Sequence, residues 1–111
     1  KFHSKEVIDS IKEDSVINAV ALELNLDRKE IFSNSRKKDI ALARQLIAYI
    51  FKTNFKMKTK DIAEKLDKNH STIIHSIKKI EQSLLMGNEV IKESLNNIYI
   101  KLEEEKVSMN I

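Results

Sequence analysis

Residues 58–80 read KTKDIAEKLDKNHSTIIHSIKKI, and their spacing decides how the rest of the chain is read. Ile62, Ala63 and Leu66 make an apolar face at helical spacing, with Thr59 placed to cap that helix. Ile73, Ile74, Ile77 and Ile80 recur at helical spacing further on and are expected to face a core. Between the two helices, Asp67, Lys68 and Asn69 offer turn and N-cap chemistry without glycine or proline. The other side of the second helix carries His70, Ser71, Thr72, His75, Lys78 and Lys79. A short helix, a tight turn and a helix displaying hydroxyls, imidazoles and lysines is the pattern of a helix-turn-helix. An ordinary αα-hairpin with a solvated polar face fits this stretch equally well.

Composition sets the frame around that hairpin. A chain of 111 residues fits one domain with a modest core. The absence of cysteine excludes disulfides and thiolate metal sites. One glycine, no proline and abundant Lys, Glu, Leu, Ile and Ala predict an all-α protein. No apolar run reaches the ~18 residues of a membrane span. Nor does a signal-peptide pattern open the chain, so a cytoplasmic protein without a membrane segment is expected.

The net charge of +3 is unevenly spread. From Arg28 to Lys79 there are 14 Lys/Arg against 5 Asp/Glu, a local net of +9, which leaves −6 for the flanks. A basic middle between acidic flanks suits a polyanion-binding module, although lysines that merely solubilise helices give the same numbers.

In chain order, Ser4 to about Lys12 reads as a short helix carrying Val7, Ile8 and Ile11, and residues 1–13 as a linker helix. Asp14 and Ser15 offer a fresh N-cap for a helix to about Asn25, with Val16, Ile17, Val20, Leu24 and Leu26 apolar. Asp27 is placed to cap a short turn in which Ile31 and Phe32 are the expected buried pair. Residues 33–38, SNSRKK, read as a flexible basic loop, either simply solvated or reaching a phosphate backbone or a minor groove. A long helix follows from about Asp39, its expected N-cap, to Thr53, with Ile40, Ala43, Leu46, Ile47, Ile50 and Phe51 inward. Arg44 and Gln45 lie on its other side, with Lys52 two turns on, while Phe55 and Met57 plug the joint into the hairpin. Gly87 stops the second hairpin helix through a left-handed cap. A last helix from about Asn88 to Lys106 presents Val90, Ile91, Leu95, Ile98 and Leu102 to the core. Residues 107–111 are expected to fray, so the domain proper is 14–106.

No catalytic constellation emerges. His70 and His75 are five apart, on different faces of a helix and without nearby carboxylates, so no metal site is expected. Ser71 and His75 are spaced to hydrogen-bond, but nothing completes a nucleophile system. A single glycine excludes a glycine-rich phosphate loop.

Arg36-Lys-Lys-Asp-Ile-Ala-Leu-Ala-Arg-Gln45, followed by the hairpin with Asn69-His-Ser-Thr-Ile-Ile-His-Ser-Ile-Lys-Lys-Ile80, resembles the C-terminal DNA-binding domain of the bacterial replication initiator DnaA. That family combines a basic loop, an Arg-Gln pair on a long helix, and Asp-His-Ser/Thr-Thr opening the recognition helix. The likeness spans roughly Asp14 to Lys101. It departs at residues 67–69, where the family's Gly-Gly-Arg-Asp is one residue longer and ends in an acid; the corresponding residue here is Asn69. Ala43 stands where the family has a proline, a change of little expected consequence.

The resemblance implies a compact helical bundle containing a helix-turn-helix, similar to the Trp repressor in that element. It implies base contacts from Asn69, His70, Ser71 and Thr72, with Arg36 in a minor groove. Arg44, Gln45, Lys52, His75 and Lys79 match positions near the DNA backbone, and Lys37 and Lys38 would add phosphate contacts. Lys60, Lys68 and Lys78 join them by placement and charge alone. The expected function is binding of double-stranded DNA at DnaA-box-like sites, as the origin-recognition domain of an initiator acting in the nucleoid, one monomer per site. No cofactor is expected in this chain; ATP and Mg belong to the AAA+ ATPase domain that would lie upstream. A stand-alone phage or plasmid regulator reusing the domain is the nearest alternative, and a helical protein-interaction module the alternative of another class.

Overall fold

The computed structural model describes the backbone of residues 5–109 and the side chains of residues 13–105. Six helices follow in order: α1 (Lys5–Glu23), α2 (Arg28–Ile31), α3 (Lys38–Thr53), α4 (Thr59–Leu66), α5 (His70–Leu85) and α6 (Glu89–Met109). Among the described residues there is no strand, as the composition predicts.

The long central helix α3 organises the core. Ile40, Ala43, Leu46, Ile47, Ala48, Ile50 and Phe51 are buried along it, and α1, α2, α4 and α5 all pack against it. The predicted inward stripe is therefore correct, with Ala48 added. Ile17 and Val20 of α1 and Ile98 of α6 are fully enclosed too. Phe55 and Met57, half-buried, cover the exit of α3 as expected.

Three helices end in the same way. The N–H groups of Leu26, Lys68 and Asn88 reach back to the carbonyls of Ala21, Ala63 and Ser83 at 2.8, 3.0 and 3.0 Å. The residue before each turns left-handed: Asn25 at φ 55, Asp67 at φ 54 and Gly87 at φ 74. This satisfies the last carbonyls of each helix, with Asn and Asp tolerating a conformation that most side chains resist. The expected cap at Gly87 is one of the three, and the turn at Asp67 gives α4 and α5 their mutual angle without glycine.

N-termini were less legible. Asp27 caps α2 in a reciprocal pair with Glu30, as read. The caps placed at Asp39 and Thr59 lie elsewhere: α3 is entered at Lys37 and α4 at Lys58, neither with a side-chain cap. Asp39 sits in the first turn of α3 instead, where a carboxylate still favours the positive end of the helix. The break read at Asp14 and Ser15 is absent, because α1 runs continuously through both. Asp14 instead accepts from Arg28 at 2.9 Å, which holds its carboxyl below the usual range despite some burial. Ser15 donates to Glu105 at 2.7 Å. The side chains of Val7, Ile8 and Ile11 lie outside the described residues. At the other end the backbone stays helical to Met109, and Asn110 and Ile111 lie outside the described residues.

Two apolar assignments are corrected. Ile74 is 37% exposed and Val90 is 70% exposed. Each adjoins a buried residue, Ile73 or Ile91, and one residue is a rotation of about 100° on a 3.6-residue helix. That step carries them out of the core. Ser76 takes the inward place on α5 beside Ile73, Ile77 and Ile80. Phe32 is half-buried, with the Arg28 guanidinium 5.7 Å above its ring.

Glu23 ties α1 to α6. Its carboxylate accepts from Asn97 Nδ2 at 3.1 Å and from Lys101 Nζ at 3.0 Å. Burial alone would raise its pKa, but those two donors outweigh burial and lower it from 4.5. Its contribution to stability is thus complete above the unfolded value and is lost as pH falls through 4.5 toward the folded value. Glu23→Gln is expected to melt below the wild type at pH 7, the two curves converging as thermal melts are taken to progressively lower pH below 4.5. A gap that stays constant with pH would contradict this.

Candidate nucleic-acid interface

The helix-turn-helix is α4 and α5. Asn69 is the N-cap of α5: its Oδ1 accepts the Thr72 backbone N–H at 2.8 Å. The amide Nδ2 has no protein partner among the described residues, and the side chain is exposed. His70, Ser71, Thr72, His75, Lys78 and Lys79 are exposed on the outer face of the same helix, where the sequence placed them. Their apolar counterparts Ile73, Ile77 and Ile80 fix the rotation of α5, so the polar face has one orientation relative to the body.

An open groove runs between α3 and α5. Arg44, Gln45, Lys68, Ser71, Thr72, His75 and Lys79 line it, together with Ala41 and Ser76, which sequence reading did not single out. Seven of the expected contact residues are thus gathered around one depression. Lys52 in the last turn of α3, Lys60 in the first turn of α4, and Lys78 are exposed but do not line it.

Beside the groove lies the basic segment, residues 33–37. The sequence predicts a flexible loop there; the structure gives it a defined, hydrogen-bonded shape. Ser33 Oγ donates to the Glu30 carbonyl at 2.6 Å and accepts from the Ser35 N–H at 3.2 Å. Ser35 Oγ accepts from the Lys37 N–H at 3.2 Å. Serines at alternate positions are the sequence signal for such turns. Arg36, Lys37 and Lys38 remain exposed.

Arg44 reaches under this segment. Its Nε donates to the Ile31 carbonyl at 2.7 Å and its Nη1 to the Ser35 carbonyl at 2.8 Å, while its Nη2 donates to the Ser33 carbonyl. Burial lowers its pKa, but a guanidinium stays charged. With three bonds made, two of its five N–H groups remain for another acceptor. Lys68, from the turn, donates to the same Ser33 carbonyl at 3.1 Å.

Among the described residues no three His, Asp or Glu side chains converge as metal ligands. None of the helices searched is long and apolar enough to cross a membrane. The surface offers chemistry for binding: donors, cations and hydroxyls on a rigid helix edge.

Comparison with known proteins places this arrangement. A protein-family model described as the bacterial dnaA protein helix-turn-helix matches residues 13–80. The chromosomal replication initiator protein DnaA of Kosmotoga olearia is 42% identical over 87 residues, which is 78% of this chain and 20% of that protein. The DnaA of Borrelia hermsii is 34% identical over 101 residues, 90% of this chain and 19% of the relative. That of Ureaplasma parvum is 38% identical over 85 residues, 76% of this chain and 18% of the relative. The chain therefore spans about a fifth of the length of the curated relatives it matches. The matched module is a binding domain, not an enzyme. The chain belongs to the bacterial DnaA helix-turn-helix family.

Proposed function

We propose that this domain binds double-stranded DNA at short, asymmetric DnaA-box-like sites, as the origin-recognition domain of a replication initiator. The observation that carries the reading is the outer face of α5. There His70, Ser71, Thr72, His75 and Lys79 stand exposed at and behind a capped helix N-terminus, with a cationic loop beside them. In a helix-turn-helix the N-terminal residues of the second helix meet base edges in the major groove. Asn69, His70, Ser71 and Thr72 are assigned that task. Arg36 is assigned to the adjacent minor groove.

Lys37, Lys38, Gln45, Lys52, Lys60, Lys68, His75, Lys78 and Lys79 are assigned to phosphates, with Arg44 contributing through its two uncommitted N–H groups. Contacts of this second kind set register and supply affinity but carry no sequence information. One domain on each asymmetric site, in the nucleoid, follows from this reading. ATP and Mg would act only in the ATPase domain of a longer initiator.

A duplex titration at two or more salt concentrations tests the proposal. Binding should weaken steeply with salt, and Lys79→Ala should reduce the slope of log affinity against log salt by about 0.9. The loss should be similar on specific and random duplexes. No measurable duplex binding at low salt would instead leave a helical protein-interaction module with solvated lysines.

A further inference from the structure

We propose that Arg44 and Lys68 are positioning residues that set the minor-groove arm, through the Ser33 carbonyl, in fixed register with the recognition helix. The inference rests on the DNA-binding reading above and concerns how its two reading elements are held together. Arg36 is exposed on the 33–37 segment and has no protein partner among the described residues. Nothing in its own side chain tells it where to stand. Its backbone is held instead, because the carbonyls at the alternate positions 31, 33 and 35 all accept from the single Arg44 guanidinium. A planar fork of five donors suits three such acceptors, whereas an ammonium on a flexible stem does not.

Lys68 supplies the second tie. It immediately precedes the N-cap Asn69 and reaches the Ser33 carbonyl at 3.1 Å from the helix-turn-helix turn. One oxygen atom is therefore shared by α3, through Arg44, and by the turn that opens α5, through Lys68. The arm is ordered before DNA arrives, and its distance from the recognition helix is set by these bonds. Recognition then spans two grooves in one register, and a cation at the wrong height gains little from a narrow groove. A phosphate contact is a different role: it needs charge at position 44, not a fork.

Two duplexes carrying the same DnaA-box-like site, one flanked by an A·T tract and one by G·C, separate these roles. The wild type should prefer the A·T flank, and Arg36→Ala should bring the affinity ratio close to one. Arg44→Lys should also collapse the ratio while retaining the salt slope, since the charge is kept. Adding Arg36→Ala to Arg44→Lys should change the ratio no further. Lys68→Met, which lies outside the core and keeps the apolar stem, should lower the ratio as well, and carries the test if Arg44→Lys folds poorly by circular dichroism. An undiminished ratio in Lys68→Met and in folded Arg44→Lys would overturn the positioning role and leave DNA binding intact. A wild type without flank preference would overturn it too, there being no arm to position. A wild type that binds no duplex would overturn the function itself.

Discussion

Phe51→Ala is expected to destabilise the domain by about 3–5 kcal/mol, the range for emptying an aromatic site that cannot collapse. Phe51 is fully buried on α3, and its ring meets Phe55 at a centroid distance of 5.6 Å, tilted by 59°. The helix that carries it supports α1, α4 and α5 at once, so no neighbour can close the space without moving another. A domain of this size holds only about 5–15 kcal/mol in total. A fall in melting temperature of roughly 12 °C or more should follow. DNA affinity measured well below that midpoint should change much less, because the hydroxyl and lysine face of α5 is not touched. Urea unfolding of the two proteins gives the number. A loss under about 1 kcal/mol would contradict the central place given to α3.

Asn69→Asp carries the second large effect, on sequence preference. Asn69 Oδ1 is engaged by the Thr72 N–H, so the amide Nδ2 is the group left for a base. That nitrogen can only donate, and in the major groove it suits an acceptor such as guanine O6 or N7, or thymine O4. Aspartate caps about as well, which should leave folding nearly unchanged. It presents only acceptors, so preference at one base pair should move toward the amino donor of cytosine, by about 1–3 kcal/mol. Binding of both proteins to a set of single-base variants measures the shift. An unchanged preference at every position would confine Asn69 to its cap and leave His70, Ser71 and Thr72 to carry specificity.

Most of the fold could be read from periodicity, because α3, α4 and α5 each bury one clean stripe. The misplaced helix starts share a cause. Asp14, Asp39 and Thr59 all have cap chemistry, yet a cap also requires the backbone to leave the helix there, and tertiary contacts decide that. Asp14 stays within a continuous α1 because its carboxylate meets Arg28 from α2, a partner fourteen positions away. Ile74 and Val90 show the limit of apolar counting: a single step around the helix separates core from solvent. Of the interface, the polar face of α5 was legible from residues 70–79 alone, and resemblance supplied the assignment of Arg36, Arg44 and Gln45. The bonds from Arg44 to Ile31, Ser33 and Ser35 join residues nine to thirteen apart and have no periodic signature. Only the folded chain brings them together.

Selection from a pool of random duplexes tests the central claim most directly, since it asks for binding and for sequence reading in one measurement. A single asymmetric motif is expected to enrich, with A·T-rich sequence on the side that faces Arg36. A pool that returns unenriched, or that binds without preference for any sequence, would contradict it.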